Sequence, residues 1–124
     1  MSAEAIELVT AFCNAWEAVN LDALMEYFAD DAVYHNIPIA PVEGKDAIRA
    51  TIQGFVGGID KIEFEILNIA ANGENVLTER VDTFFGEAKT ISLPVMGTFE
   101  VRDGKIAAWR DYFDLNQFMS QMAG

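Results

Sequence analysis

The sequence has little of several features that mark common classes of protein. It contains one cysteine, Cys13, and one histidine, His35. One cysteine excludes an intramolecular disulfide. One cysteine and one histidine together are too few ligands for a zinc site of the Cys/His type. The chain has no apolar run of the roughly 18 residues that a membrane-spanning helix needs. Residues 1–5 lack the basic stretch that begins a secretory signal, so the cytoplasm is the expected compartment.

Basic residues are also scarce. Only 8 Lys and Arg accompany 20 Asp and Glu, which gives a net charge of −12. Such an excess repels phosphate backbones and anionic lipids, so we expect neither a nucleic-acid partner nor a membrane partner. The 124 residues are 52% hydrophobic and show no repeat or linker, which predicts one globular domain over residues 1–124 with room for a core and a pocket.

The first half of the chain has helical periodicity. Apolar residues at spacings of three and four predict helices over residues 2–16, 20–28 and 44–56, with a short strand over 32–36. A last helix is predicted from Asp114, because Asp114 and Gln117 have the spacing of a capping box.

From residue 59 the apolar period changes to two, which predicts strands. The later strands are predicted over residues 76–85, 89–101 and 106–113, and Pro94 and Gly97 predict a bulge or bend in the second of these. Helices followed by hairpin-linked strands indicate an α+β fold, with helices packed on one face of an antiparallel sheet.

Three charged residues fall on strand faces that otherwise carry apolar side chains. Alternation puts Arg80 and Asp82 on one face of their strand, and Asp111 shares a face with Trp109 on the last strand. The two Asp are predicted to have one strand between them, roughly 10 Å apart at the backbone. Arg80 has the fork geometry to bridge both carboxylates.

The turn lengths decide whether these faces meet. Three-residue loops at 71–73 and 102–104 join the apolar faces and set Asp111 opposite Val95 and Phe64 opposite Arg80. Two-residue loops would slip the register by one and bring acidic residues to the core. We therefore predict the three-residue loops. The resulting charged cluster is compatible with a structural ion network as well as with a catalytic site.

Tyr34 and Asn36 form a second polar pair, on one face of the short strand. With a carboxylate nearby they can hold a water molecule by three hydrogen bonds. Alone the pair is a weak signal, because such residues are common at strand ends. His35 lies on the opposite face, which favours a structural or solvent-facing role.

Three segments together resemble the limonene-1,2-epoxide hydrolase family. They are Tyr34-His35-Asn36-Ile37-Pro38, Thr78-Glu79-Arg80-Val81-Asp82 and Trp109-Arg110-Asp111-Tyr112-Phe113-Asp114, and Glu26-Tyr27-Phe28-Ala29-Asp30-Asp31 adds to the likeness. The resemblance implies a cystatin-like α+β fold, shared with nuclear transport factor 2. In that fold a curved, mixed, mostly antiparallel sheet carries the N-terminal helices on its concave face.

The resemblance also implies hydrolysis of an epoxide to a vicinal diol in one step, with no cofactor and no metal. By this resemblance Asp111 is the base that takes a proton from water, and Tyr34 and Asn36 hold that water. Asp82 protonates the epoxide oxygen, and Arg80 bridges the two carboxyl groups. The implied partners are water, a small lipophilic epoxide of terpenoid or alicyclic type, and a second copy of the chain.

Substrate-binding residues are predicted from apolar character. The candidates are Leu24, Phe28, Ile48, Ile52, Phe64, Phe84, Val95 and Phe113. Apolar residues on the outer sheet face, Leu77, Val81 and Phe85, predict a homodimer that buries this face. Two other functions stay open: an isomerase or polyketide cyclase on the same fold, and a non-catalytic dimer that binds an apolar ligand. The sequence leaves the natural substrate, the regio- and stereoselectivity, and the pathway open.

Overall fold

One six-stranded sheet organises the protein, which we describe from a computed structural model covering residues 2–123. The strands are β1 (Phe28–Asn36), β2 (Val42–Glu43), β3 (Ile59–Asn72), β4 (Asn75–Gly86), β5 (Thr90–Arg102) and β6 (Lys105–Tyr112). Their order is β2-β1-β6-β5-β4-β3. The β1–β6 pair is parallel and every other described pair is antiparallel. The predicted α+β class and the curved, mixed sheet are confirmed.

Within residues 2–123, four α-helices and one 3-10 helix (Trp16–Ala18) accompany the sheet. The α-helices are α1 (Ser2–Ala15), α2 (Leu21–Met25), α3 (Lys45–Val56) and α4 (Leu115–Ala123). No helix within residues 2–123 is long and apolar enough to cross a membrane. The main core contains aromatic rings from α1, from the 3-10 helix and from the sheet. Phe12 packs edge-on against Trp109, with ring centroids 5.1 Å apart, and Trp16 stacks on Phe64 at 4.9 Å. All four residues are nearly inaccessible to solvent.

Several predicted boundaries are corrected. The second helix ends at Met25, because β1 already begins at Phe28 and pairs there with Ile106 of β6. No bulge occurs at Pro94 or Gly97, since the described β4–β5 pairing is continuous from Asn75 to Phe85. Pro94 fits there because β6 reaches β5 only from Met96 onward, which leaves the earlier part of β5 at the sheet edge.

Both hairpin turns are shorter than predicted. Asn72 pairs with Asn75, and Arg102 pairs with Lys105, so each turn contains two residues. In the second turn Asp103 and Gly104 both have positive φ, as a type I′ turn requires. The predicted three-residue loops are therefore wrong.

A bulge in each hairpin nevertheless brings the predicted faces together. The β3–β4 register shifts between Ile66 and Asn68, and the β5–β6 register shifts between Glu100 and Val101. Each shift adds one residue, which restores the parity that the two-residue turn had reversed. As a result Phe64 lies opposite Asp82, and Asp111 lies opposite Gly97, each two positions from the predicted partner.

Candidate active site

The site is built on one cross-strand row of the sheet. Asn36 of β1 pairs with Asp111 of β6, Asp111 pairs with Gly97 of β5, and Gly97 pairs with Thr78 of β4. Side chains in such a row point to the same face. The sheet therefore brings polar side chains from three strands, β1, β6 and β4, together on its concave side.

Arg80 connects this row to Asp82. Its guanidinium has five N–H groups, and all five donate hydrogen bonds. The Nε and Nη2 atoms donate to the two oxygens of Asp82 at 3.0 and 2.8 Å. The Nη1 and Nη2 atoms donate to the two oxygens of Asp111 at 3.2 and 2.8 Å, and Nη1 donates to Thr78 Oγ1 at 3.0 Å. The predicted bridge between the two carboxyl groups is present in the structure.

Gly97 provides the space for that bridge. A Cβ built on Gly97 would lie 2.5 Å from Asp111 Oδ1, still closer to Arg80 Nη1, and 3.2 Å from Thr78 Oγ1. The guanidinium therefore passes over β5 at the one position in this row that carries no side chain. The sequence pattern predicts a bulge or bend at Gly97, whereas the structure requires glycine there because side chains approach the backbone closely.

Trp109 contacts both Asp111 and Tyr34. Its indole Nε1 donates a 2.7 Å hydrogen bond to Asp111 Oδ1. Its ring stacks on Tyr34 with centroids 4.4 Å apart, and the Tyr34 hydroxyl donates to Asn36 Oδ1 at 3.3 Å. Trp109 and Thr78 were not among the predicted site residues. A buried indole N–H or hydroxyl needs a hydrogen-bond partner. This requirement is the sequence signal by which Trp109 and Thr78 could have been assigned to the site.

Burial changes the ionisation of the site. It raises the pKa of Asp82 from 3.8 to about 6; the hydrogen bonds and charge of Arg80 oppose this shift, and the charge of Asp111 adds to it. Burial lowers the pKa of Arg80, but the two carboxylates outweigh it and raise that pKa well above the ordinary value. Burial, with the Asp111 charge, also raises the pKa of Tyr34, so its hydroxyl keeps its proton.

A cavity of about 200 Å³ opens beside these groups. Of the five predicted catalytic residues, Tyr34, Asn36, Asp82 and Asp111 line it, and Arg80 lies behind the two Asp. The apolar part of the lining is formed by Ile39, Phe55, Phe64, Phe84, Leu93, Val95, Phe113, Leu115 and Phe118, with Thr51 adding a hydroxyl. Four predicted binding residues, Phe64, Phe84, Val95 and Phe113, are among them.

The other four predicted binding residues are corrected to core positions. Leu24, Phe28, Ile48 and Ile52 are at most 1% exposed and do not line the cavity. On α3 the lining residues are Thr51 and Phe55, which occupy the face next to the buried one. Successive helical residues are separated by 100°, so the apolar stripe of α3 shows its core face and does not single out this neighbouring face.

His35 and Cys13 lie outside the cavity lining. His35 Nε2 is 2.9 Å from the carbonyl oxygen of Ile39, which agrees with the predicted structural role. Cys13 is a buried free thiol, and burial raises its pKa to about 12. Among the described residues, no group of three or more His, Cys, Asp or Glu is arranged to hold a metal ion.

Comparison with known proteins shows the family of the chain. Residues 3–124 match the family model of the limonene-1,2-epoxide hydrolase catalytic domain. The chain belongs to the limonene-1,2-epoxide hydrolase family. It is 36% identical to the epoxide hydrolase EphG of Mycobacterium tuberculosis over 107 residues, which cover 86% of this chain and 71% of that protein.

Solved structures place the family fold over nearly the whole chain. A limonene-1,2-epoxide hydrolase-like epoxide hydrolase from M. tuberculosis superposes with a TM-score of 0.86 at 34% identity, covering 99% of this chain and 92% of the other. A SnoaL-like protein from Shewanella denitrificans gives a TM-score of 0.86 at 17% identity over 96% of each chain. The second likeness concerns the fold alone.

Proposed function

We propose that this member of the family is an epoxide hydrolase that adds water to a lipophilic epoxide by general acid/base catalysis, without a covalent intermediate or a cofactor. The observation that carries the proposal is the pair of buried carboxyl groups that Arg80 bridges at the wall of an apolar cavity. Family membership and the epoxide hydrolase relative support the same activity.

In this proposal Asp111 is the base. Asn36 and Asp111 are direct cross-strand partners, and the Tyr34 hydroxyl is bonded to the Asn36 amide. A water beside these three groups can donate one proton to Asp111 and the other to the Tyr34 oxygen, while the Asn36 amide N–H donates to the water oxygen. Three donors converge on Asp111, one from Trp109 and two from Arg80. Hydrogen bonds of this kind stabilise the ionised form of a carboxyl group, which a base requires.

Asp82 is the acid. Among the described residues, only the Arg80 side chain donates to it, and its raised pKa lets it hold a proton to a higher pH than an ordinary Asp does. With Arg80 charged, Asp111 ionised and Asp82 protonated, the buried cluster has no net charge, which lowers the cost of its burial. Each correctly placed acid or base contributes typically 10²–10⁴-fold to the rate.

The step balances as a single displacement. The water oxygen forms a bond to an epoxide carbon while the bond from that carbon to the ring oxygen breaks. Asp111 takes the water proton, and Asp82 gives its proton to the ring oxygen. A vicinal diol leaves, and a proton passing from Asp111 to Asp82 restores the starting state.

The cavity lining supports a lipophilic substrate of terpenoid or alicyclic type. Outside the catalytic groups, Thr51 is the only polar side chain among the lining residues that the structure describes. A charged or strongly polar substrate would lose its hydration there without compensating partners.

A homodimer is part of the proposal. Leu67, Leu77, Met96 and Tyr112 lie on the sheet face opposite the cavity and are 43–49% exposed. An apolar patch of this kind on a sheet face is typical of an interface. The cytoplasm stays the predicted compartment.

Incorporation of solvent oxygen tests the mechanism. A single turnover in ¹⁸O-water, with enzyme in excess over cyclohexene oxide, is expected to give a diol that carries one ¹⁸O atom. Unlabelled diol in the first turnover would mean that an enzyme carboxylate attacked the epoxide, and it would contradict direct attack by water.

Loss of the base gives the second test. Asp111→Asn keeps the shape of the side chain but accepts no proton, so turnover is expected to fall by at least about 10²-fold. The matched control is Asp103→Asn, at the exposed β5–β6 turn, where asparagine suits the positive φ of 52°. Near-normal turnover by Asp111→Asn would exclude the proposed base.

A further inference from the structure

The C-terminal helix α4 forms one side of the cavity, yet little packing holds it in place. Leu115 and Phe118 line the cavity, and Phe118 packs against Phe113 with ring centroids 6.3 Å apart. None of the residues from Leu115 to Ala123, all of them described, is fully buried. Packing alone therefore gives α4 a weak attachment, since helices in proteins are stabilised mainly by burial of an apolar face.

A side-chain amide attaches this helix to the sheet. Gln121 Oε1 accepts a 2.9 Å hydrogen bond from the backbone N–H of Ser92, and Gln121 Nε2 donates a 2.8 Å hydrogen bond to the carbonyl of the same residue. The amide of Gln121 thus makes the two bonds that a residue of a neighbouring strand would make. We refer to this pair of bonds as the Gln121 clasp.

The Gln121 clasp lies at a part of β5 that, among the described strands, has no neighbouring strand on one side. The described pairing of β6 with β5 ends at Met96–Tyr112, so Ser92 lies on β5 beyond the reach of β6. A strand edge presents backbone donors and acceptors that need partners. The chain turns into α4 after β6, and Gln121 satisfies the edge at the point where the strand partner is missing.

We infer that Gln121 is a specificity-determining residue: by pairing with the backbone of Ser92 it holds α4 against the cavity and limits the size of the epoxide that the enzyme hydrolyses. The inference rests on the proposed function for its substrate. Gln121 is neither one of the catalytic groups nor one of the residues that line the cavity, so it acts through the position of Leu115 and Phe118. Lys89 Nζ also donates to the Met122 carbonyl, so the helix keeps a second tie when the clasp is removed.

Two variants of Gln121 and one control distinguish the effect of the clasp from the effect of changing any side chain on α4. Gln121→Ala removes both bonds, and Gln121→Glu keeps an acceptor for the Ser92 N–H but sets a carboxylate against the Ser92 carbonyl. The matched control is Gln117→Ala, which removes the same type of side chain one turn earlier, at an exposed position. The substrates are cyclohexene oxide, which is compact, and trans-stilbene oxide, which is bulky.

The expected result is a change in selectivity. The ratio of kcat/KM for trans-stilbene oxide to kcat/KM for cyclohexene oxide rises roughly fivefold or more in Gln121→Ala, as loss of two hydrogen bonds allows. It also rises in Gln121→Glu, where one bond is lost and a carboxylate faces the Ser92 carbonyl. In Gln117→Ala the ratio stays at the wild-type value. An unchanged ratio in the Gln121 variants, or an equal loss for both substrates, would overturn the inference.

Hydrogen exchange tests the clasp independently of turnover. The amides of α4 exchange faster in Gln121→Ala than in Gln117→Ala, because local opening costs less without the clasp. Equal exchange rates in the two variants would overturn the claim that the Gln121 clasp holds α4 against the sheet. Failure of the wild-type protein to hydrolyse either epoxide would instead refute the proposed function, with the exchange result standing on its own.

Discussion

Gly97 and Asp111 are direct cross-strand partners, and the Asp111 carboxylate occupies the space that a side chain at residue 97 would need. The guanidinium of Arg80 reaches Asp111 across the same space. The absence of one side chain on the central strand therefore allows three charged groups from two other strands to meet.

Substitution of Gly97 tests this relationship. Gly97→Ala forces Arg80 or Asp111 to shift, and a displacement near 1 Å at a catalytic group can cost about 10²-fold in rate. The same overpacking is expected to lower the free energy of unfolding by about 1–3 kcal/mol. Denaturant unfolding and epoxide turnover measure the two effects.

Gly54→Ala is the matched control for that substitution. Gly54 lies within α3, where an added Cβ meets nothing within 4 Å, and alanine favours the helix over glycine. Activity should be unchanged and stability equal or higher. Equal turnover by Gly97→Ala and Gly54→Ala would refute the spacing requirement.

The pH dependence of catalysis follows from Asp82. An acid catalyst works in its protonated form, and burial raises the pKa of Asp82 to about 6. Turnover is therefore expected to fall as the pH rises through about 6, measured as kcat between pH 4 and 8. A turnover rate that does not fall across this range would contradict the role of Asp82 as the acid.

The same shift has a consequence for stability. The folded-state pKa of Asp82 lies above its ordinary value of 3.8, so the folded protein binds this proton more tightly than the unfolded chain does. Its contribution to stability is complete below about pH 4 and is lost as the pH rises through about 6. Asp82→Asn lacks the titration, so the stability of the wild type relative to this variant should decrease over that interval.

The pair Tyr34 and Asn36 distinguishes hydrolysis from other reactions on this fold. Tyr34→Phe combined with Asn36→Ala removes both groups that hold the water, and hydrolysis is expected to fall by at least about 10²-fold. An isomerase or cyclase needs no such water. Epoxide turnover that is retained in the double variant would contradict the water-holding role of Tyr34 and Asn36 and favour that alternative, provided that circular dichroism shows the fold intact.

The outer sheet face predicts the oligomeric state. Sedimentation of the wild-type protein at micromolar concentration should give twice the mass of one chain, and Leu77→Glu should shift it to the monomer. Met119→Glu, at a 55% exposed position on α4, should leave the dimer intact. A wild-type monomer under these conditions would count against the interface.

Much of the site could be predicted because its residues carry a local pattern. Arg80 and Asp82 alternate with outward-facing Glu79 and Val81, so their shared face is readable from one strand. The lining residues of α3 and α4 could not be identified in this way. Residues next to an apolar helical stripe face the core, the cavity or solvent according to how the helix packs, and packing depends on distant parts of the chain.

The sequence by itself determined which residues share a face and which chemical groups the site contains, because side-chain direction alternates along each strand. Only the tertiary structure decided the partners across the strands. The two-residue turns and the compensating bulges shift each register by two positions, which preserves the faces but replaces Val95 with Gly97 opposite Asp111. A shift by two leaves parity unchanged, so no alternation pattern can reveal it, and it is this shift that gives Arg80 its path to both carboxyl groups.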